Sequence, residues 1–152
     1  MTVFLSSYLN GVDKKGRVSV PASFRHEMVA HARQQVVVYA ALDAGKDGGY
    51  LYGWAYDDFL KLAEKIQQLP ALSPVRQRLA RFILAAARPL NFDDAGRVIL
   101  PENLMKVAGI GEEALFAGEG EYFTIWNPKR FDLQMASDGG LLADDLAAFS
   151  KL

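Results

Sequence analysis

Asp13-Lys14-Lys15-Gly16-Arg17-Val18-Ser19-Val20-Pro21 returns as Asp93-Asp94-Ala95-Gly96-Arg97-Val98-Ile99-Leu100-Pro101, eighty residues later, with Asp, Gly, Arg, Val and Pro in register. A repeat this long points to two copies of one folding unit. Each copy opens with an Asp that can accept a local hydrogen bond. A Gly free to adopt positive φ closes the turn, and Arg starts a short alternating strand that Pro ends. The match continues outside the motif. Tyr50-x-x-x-Trp54-x-x-x-x-Phe59 aligns with Tyr122-x-x-x-Trp126-x-x-x-x-Phe131, now at an offset of 72. The longer loop of the first copy, over 43–49, absorbs the difference.

Working outward, 4–12 reads as extended. Pro21 opens a helix over 22–32 with Phe24, Met28 and Val29 on one side. Residues 36–42 and 50–54 form strands on either side of the 43–49 loop, and a helix follows over 57–69. Ser73 is a good N-cap, with Pro74 at the first helical position of a segment reaching about Ala87. Val75, Leu79, Phe82, Ile83 and Ala86 form its apolar stripe, with Arg78, Arg81 and Arg88 on the opposite face. In the second copy Pro101 opens a helix that Gly109 stops. Strands over 114–117 and 122–126 flank the turn Gly118-Glu119-Gly120, and Asn127-Pro128 caps a short helix through Phe131. Residues 141–149 read as a frayed amphipathic helix. The expected division is 1–69 for the first repeat, 70–90 for a connecting helix, 91–137 for the second repeat and 138–152 for an acidic tail.

The 152 residues contain no cysteine, which excludes disulfides, thiolate catalysis and cysteine-bound zinc. The N-terminal stretch lacks the features of a signal peptide and no apolar run is long enough for a bilayer span, so a soluble intracellular protein is expected. The net charge is −1 but unevenly spread. Over 1–40 five basic residues face two acids, whereas over 111–152 three face eight. A neutral total thus conceals a basic and an acidic region, and it is the local patch that meets phosphate.

His26 and His31, five apart, do not share a helical face, and no carboxylate pair completes a metal site. Gly118-x-Gly120 lacks the third glycine and the following helix of a nucleotide loop. Without a nucleophile–base pair or carboxylate dyad there is no case for catalysis, a cofactor or a small-molecule substrate. The aromatics Tyr50, Tyr52, Trp54, Tyr122 and Trp126 alternate along strands and read as core and pseudo-symmetric packing rather than a base-stacking platform. A turn that projects Lys14, Lys15 and Arg17 from a sheet is chemically suited to phosphate, and Arg can also fork onto guanine. Lys14 and Lys15 read equally well as solvated turn residues, and Asp13 and Arg17 could pair across the turn, or across the two repeats, and simply hold the structure.

The pattern resembles the MraZ family of bacterial transcriptional regulators, within the wider AbrB-like group. The resemblance rests on 13–25, with Phe24-Arg25 following Pro21-Ala22-Ser23, on 93–101, on Ala108-Gly109-Ile110, and on Tyr122-Phe123-Thr124-Ile125-Trp126. It implies a β-rich α+β fold in which two pseudo-symmetric AbrB-like repeats interleave into a swapped-hairpin β-barrel with flanking helices. It also implies a ring-shaped homo-oligomer, nucleoid-associated in the cytoplasm. Such a ring would bind short direct repeats of double-stranded DNA upstream of the division and cell-wall operon containing its own gene, usually as a repressor. The implied DNA-contacting residues are Lys14, Lys15, Arg17, Arg25 and Arg97, with Asp13, Gly16, Asp93 and Gly96 shaping the loops. The chain departs from the pattern at Asp94 and Ala95, where a Lys is usual near the Gly. The first loop is therefore expected to dominate DNA contact and the second to be mainly structural. Ser23 stands where a Lys is common, and Thr124 where an acid is. The alternative function is an antitoxin-like or other protein-interaction module whose loops serve assembly.

Overall fold

A computed structural model describes residues 1–41 and 49–152. Leu42 and the expected loop, as far as residue 48, lie outside the described residues. The first half of the chain supplies β1 (Ser7–Gly11), β2 (Arg17–Ser19), α1 (Ala22–Glu27), β3 (Gln35–Ala40), β4 (Leu51–Ala55) and α2 (Tyr56–Gln67). α3 (Pro74–Leu79) then runs into a π-helical turn, Ala80–Leu84. The second half supplies β5 (Arg88–Asn91), β6 (Arg97–Ile99), α4 (Glu102–Ala108), β7 (Glu113–Gly118), β8 (Phe123–Trp126), α5 (Pro128–Gly139) and α6 (Leu142–Phe149).

The fold is α+β, with a six-stranded antiparallel sheet in the order β1-β7-β8-β4-β3-β5 and a separate β2-β6 ribbon. The ladders form an open sheet; among the described residues no pairing joins β1 to β5 to close a barrel. Exchanging each strand for its counterpart in the other half, β1 for β5, β3 for β7 and β4 for β8, reproduces the same order. Among the ladders of the described residues only the hairpins β3-β4 and β7-β8 stay within a half; the β1-β7, β3-β5, β4-β8 and β2-β6 pairings all cross between halves.

Side chains alternate faces along a strand, so the continuous apolar run of β3 requires cover on both sides. Val36 and Val38 enter the main core with Phe4, Phe24, Phe116 and Phe123, while Val37 and Tyr39 join Trp54 and Phe59 on the opposite face. Tyr50 stacks on Trp126 at 4.0 Å and Tyr122 packs on Trp54 at 5.1 Å, so each half's tyrosine rests on the other half's tryptophan. The expected packing role of these aromatics is thus realised across the halves.

Several boundaries differ from expectation. The helix after Pro21 ends at Glu27 rather than Ala32, and Val29 is exposed. Here side chains take over the backbone groups: Gln34 donates to the Val29 carbonyl, and Asp57 accepts from the Ala32 N–H. The helix begun at Pro74 does not reach Ala87 as regular α-helix, and β5 starts inside the stretch assigned to a connecting helix. Pro89 disfavours helical backbone at Arg88, and β5 is an edge strand, where a proline is tolerated. Val75, Phe82 and Ala86 of the expected apolar stripe are exposed. The short helix after Asn127 instead continues to Gly139, through good helix formers Leu133, Gln134, Met135 and Ala136.

Candidate nucleic-acid interface

The two Asp-to-Arg loops have the same architecture. In the first, Asp13 Oδ1 accepts from the Lys15 and Arg17 N–H groups, each at 2.9 Å, while Oδ2 accepts from Arg17 Nε at 2.6 Å. In the second, Asp93 Oδ1 accepts from the Ala95 and Arg97 N–H groups, each at 2.9 Å, and Oδ2 from Arg97 Nε at 2.8 Å. Backbone bonds close both turns, from Gly16 N–H to the Asp13 carbonyl and from Gly96 N–H to the Asp93 carbonyl, each 3.0 Å. Gly16 and Gly96 take φ of +80° and +77°, conformations that a β-carbon disfavours. The proposed pairing of Asp13 with Arg17 therefore occurs within its own turn, and Asp93 repeats it with Arg97.

These bonds also set the carboxylates' protonation. The Arg17 N–H, then the Arg17 guanidinium and the Lys15 N–H, hold the Asp13 carboxyl below its ordinary value; the Arg97 N–H, the Arg97 guanidinium and the Ala95 N–H do the same for Asp93. A carboxyl lowered in the folded state adds stability above its unfolded value, and that stability is lost as the pH falls through the folded one. Both latches are therefore intact at neutral pH.

Each latch uses only the Nε edge of its arginine. Among the described residues neither Arg17 nor Arg97 makes a hydrogen bond through Nη, leaving two donor groups on each guanidinium for an outside acceptor. The β2-β6 register fixes where they point. Val18 pairs with Val98 and both are buried, so Arg17, Ser19, Arg97 and Ile99 project from the opposite, outer face. Arg17 and Arg97 are diagonal neighbours on this face, about 7–8 Å apart at the backbone. Lys14 and Lys15 are exposed and form no ion pair among the described residues.

Arg25 is placed differently from the other expected contacts. It leaves α1 of the first half but lies against Gly96 of the second loop. A β-carbon built on Gly96 would stand 2.3 Å from Arg25 Nη1 and 2.5 Å from Cζ. Arg25 Nε donates to the Val20 carbonyl at 3.1 Å, and the Val20 N–H donates to the Gly96 carbonyl at 3.2 Å. Sequence spacing had no means of finding this contact, because the counterpart of Arg25 eighty residues on is Met105. Arg130, which the sequence did not single out, clasps the end of α4, donating to the Val107 carbonyl at 3.1 Å and the Gly49 carbonyl at 3.3 Å.

The histidines do not form a site. His31 bonds Thr2 Oγ1 through Nε2 at 2.9 Å, and His26 is exposed. Among the described residues no group of three or more His, Asp or Glu is arranged to hold a metal ion, and no helix is long and apolar enough to cross a membrane. Thr124, standing where an acid is common in the family the chain resembles, is buried and bonded to Glu119 and to Trp126 Nε1.

Among known proteins, residues 83–145 match the family described as "MraZ protein, putative antitoxin-like". Three proteins named "Transcriptional regulator MraZ" are similar over 137 residues, which is 90% of this chain and 89% of each relative. The protein from Rickettsia akari (strain Hartford) is 40% identical, that from Rickettsia felis (strain ATCC VR-1525 / URRWXCal2) 42%, and that from Rickettsia canadensis (strain McKiel) 39%.

Proposed function

The chain belongs to the MraZ family, and from that premise and the outer face of the β2-β6 ribbon we propose that it is a transcriptional regulator that binds double-stranded DNA sequence-specifically. The observation that carries the reading is the register of the ribbon, which sets Arg17 and Arg97 side by side on the exposed face. Each is fixed by an Asp through Nε and keeps its Nη groups for a ligand. A two-stranded ribbon fits the major groove, where an arginine fork reads guanine O6 and N7. Lys14 and Lys15, flanking it, meet the phosphates. The second loop, with Asp94 and Ala95 in their place, adds less.

The finer picture follows the family. The targets are short direct repeats upstream of the division and cell-wall operon containing the protein's own gene, and the effect is repression at the nucleoid. Residues 1–69 and 91–137 act as the two AbrB-like copies, whose sheet and ribbon together make the swapped-hairpin barrel, and the protein has no catalytic role. Homo-oligomeric assembly into a ring, which multiplies weak contacts by effective concentration, draws support from two uncovered faces. Leu72, Val75 and Phe82 are exposed around α3 and the π-turn, beside the exposed Arg78 and Arg81; Leu142, Leu146 and Phe149 are exposed on α6, beside Asp144 and Asp145. Different, complementary patches favour head-to-tail contacts.

The test is a gel shift with the DNA upstream of the protein's own gene. The Lys15→Ala/Arg17→Ala double variant, shown by light scattering to assemble as the parent does, is expected to lose the shift. An intact shift removes the first loop from the interface. At matched salt Arg97→Ala is expected to weaken binding less than Arg17→Ala, and equal losses would overturn the ranking of the loops.

A further inference from the structure

The residues expected to meet DNA are all cations, suited to phosphate or, through a guanidinium fork, to guanine. The outer face of the β2-β6 ribbon also holds a residue of another kind. Ile99 is the direct ladder partner of Arg17 and is 58% exposed. It belongs to the second half but stands at the first loop. Its Cγ2 lies 3.9 Å from a β-carbon built on Gly16, which Met105 Sδ approaches to 3.5 Å. The Leu100 N–H donates to the Gly16 carbonyl at 2.9 Å and ties the end of β6 to that loop.

Along the ribbon the match between the halves fails at one position. Exchanging them puts Arg17 on Arg97 and Val18 on Val98, but Ser19 on Ile99. The outer face therefore presents arginine beside isoleucine across one rung and serine beside arginine across the other. A hydroxyl can donate to or accept from any base edge. The isoleucine side chain makes no hydrogen bond and gains only by leaving water against an apolar group. In the major groove the apolar group that base pairs present is the C5-methyl of thymine. Residues directly opposite in a ladder lie about 4.5–5.5 Å apart at Cα, and successive bases about 3.4 Å apart, so Arg17 and Ile99 fall on neighbouring bases.

We propose that Ile99 is a specificity-determining residue that packs on the C5-methyl group of a thymine next to the guanine read by Arg17. The inference rests on the DNA-binding reading of the ribbon and deepens it by naming a base and the group on it that is recognised. Because Ser19 makes no such demand on its own side, the contact gives the ribbon one direction along the duplex.

The test is fluorescence anisotropy at one salt concentration with the same upstream DNA, each thymine in turn replaced by deoxyuridine. That change deletes the methyl group and keeps every hydrogen-bonding group of the base. One buried methyl is worth about fourfold in affinity, so the parent is expected to lose about that much at one thymine of a binding site. Ile99→Ser, which makes the two sides of the ribbon alike, is expected to bind the thymine DNA as weakly as the parent binds the deoxyuridine DNA and to lose nothing further on the replacement. Ile99→Val, which keeps an apolar surface, is expected to keep the discrimination. If Arg17→Ala loses affinity while every deoxyuridine replacement leaves the parent unchanged, or while Ile99→Ser discriminates as the parent does, the thymine contact is overturned and the DNA reading stands. If Arg17→Ala binds as the parent does, the DNA reading itself fails. The parent's scan involves no change to the protein, so its outcome decides the proposal even if Ile99→Ser does not fold.

Discussion

Replacing Gly96 with alanine exposes the coupling between the second loop and Arg25. The new β-carbon has two costs. Holding an L-residue at φ +77° costs about 1–2 kcal/mol. The added atom also lies 2.3–2.7 Å from three guanidinium atoms of Arg25, so the side chain must leave. Its departure breaks the Nε bond to the Val20 carbonyl, worth about 0.5–1.5 kcal/mol. The total is about 1.5–3.5 kcal/mol. In an Arg25→Met background only the backbone cost remains, since a methionine behind Gly16 leaves 3.5 Å to a β-carbon there. Gly96→Ala and Arg25→Met are therefore expected to couple by about 1 kcal/mol in a double-mutant cycle, whereas Gly16→Ala and Arg25→Met add independently. Guanidinium denaturation followed by far-UV circular dichroism, at one protein concentration throughout, measures all the variants. A Gly96–Arg25 coupling below about 0.3 kcal/mol, within the scatter of independent sites, would refute the contact and the cost assigned to it.

Two further outcomes follow from the core. Burial pushes the Tyr39 phenol from 10.0 up to about 12; a group raised in the folded state gives stability that is complete below its unfolded value and is lost as the pH rises through the folded one. Alkaline destabilisation between these two values should shrink in Tyr39→Phe, and a phenolate absorbance titration in which all tyrosines of the native protein ionise together near pH 10 would contradict it. On β4, a β-carbon at Gly53 would lie 2.4 Å from Phe123 Cε2, and that ring is fully buried between Phe4 and Phe24, each 5.1 Å away. Gly53→Ala is thus expected to cost about 1–3 kcal/mol by overpacking, recovered in part by Phe123→Leu; an unchanged denaturation midpoint would show that the ring has room to move.

The parts of the fold legible in the sequence are those governed by neighbours along the chain. Asp13, Gly16 and Arg17 act within one turn, so spacing announced the turn, while its latch was one of two pairings the spacing allowed. Ser73-Pro74 and Asn127-Pro128 likewise announced their helix starts, because a cap involves residues two or three positions away. Helix ends were less legible. The end of α1 depends on Gln34 and Asp57, and the helix begun at Pro74 gives way to a strand whose partner is β3, about fifty residues earlier. The repeat correctly related the two loops but concealed their difference. It aligns Arg25 with Met105, two side chains with one geometric task and different charge, and it cannot show that each serves the opposite copy's loop. Exposed apolar residues at Val75 and Phe82 misled for a related reason: periodicity marks a face to be covered without saying whether the covering comes from the same chain.

The alternation of the halves through the sheet has a consequence for synthesis on the ribosome. Ser7 pairs with Ala117, and Leu51 with Ile125. At about 5–20 residues per second, the opening strand waits on the order of 5–20 seconds for its partner to be made. Within that interval the nascent β3-β4 hairpin carries Val36-Val37-Val38-Tyr39 without β5 on its flank until residue 91 is made, and without the second half's aromatic residues on its surface until later still. The first half is thus committed to aggregation-prone exposure until translation is nearly complete, and a chain halted after α2 would leave the ribosome with its strands' crossing partners unmade.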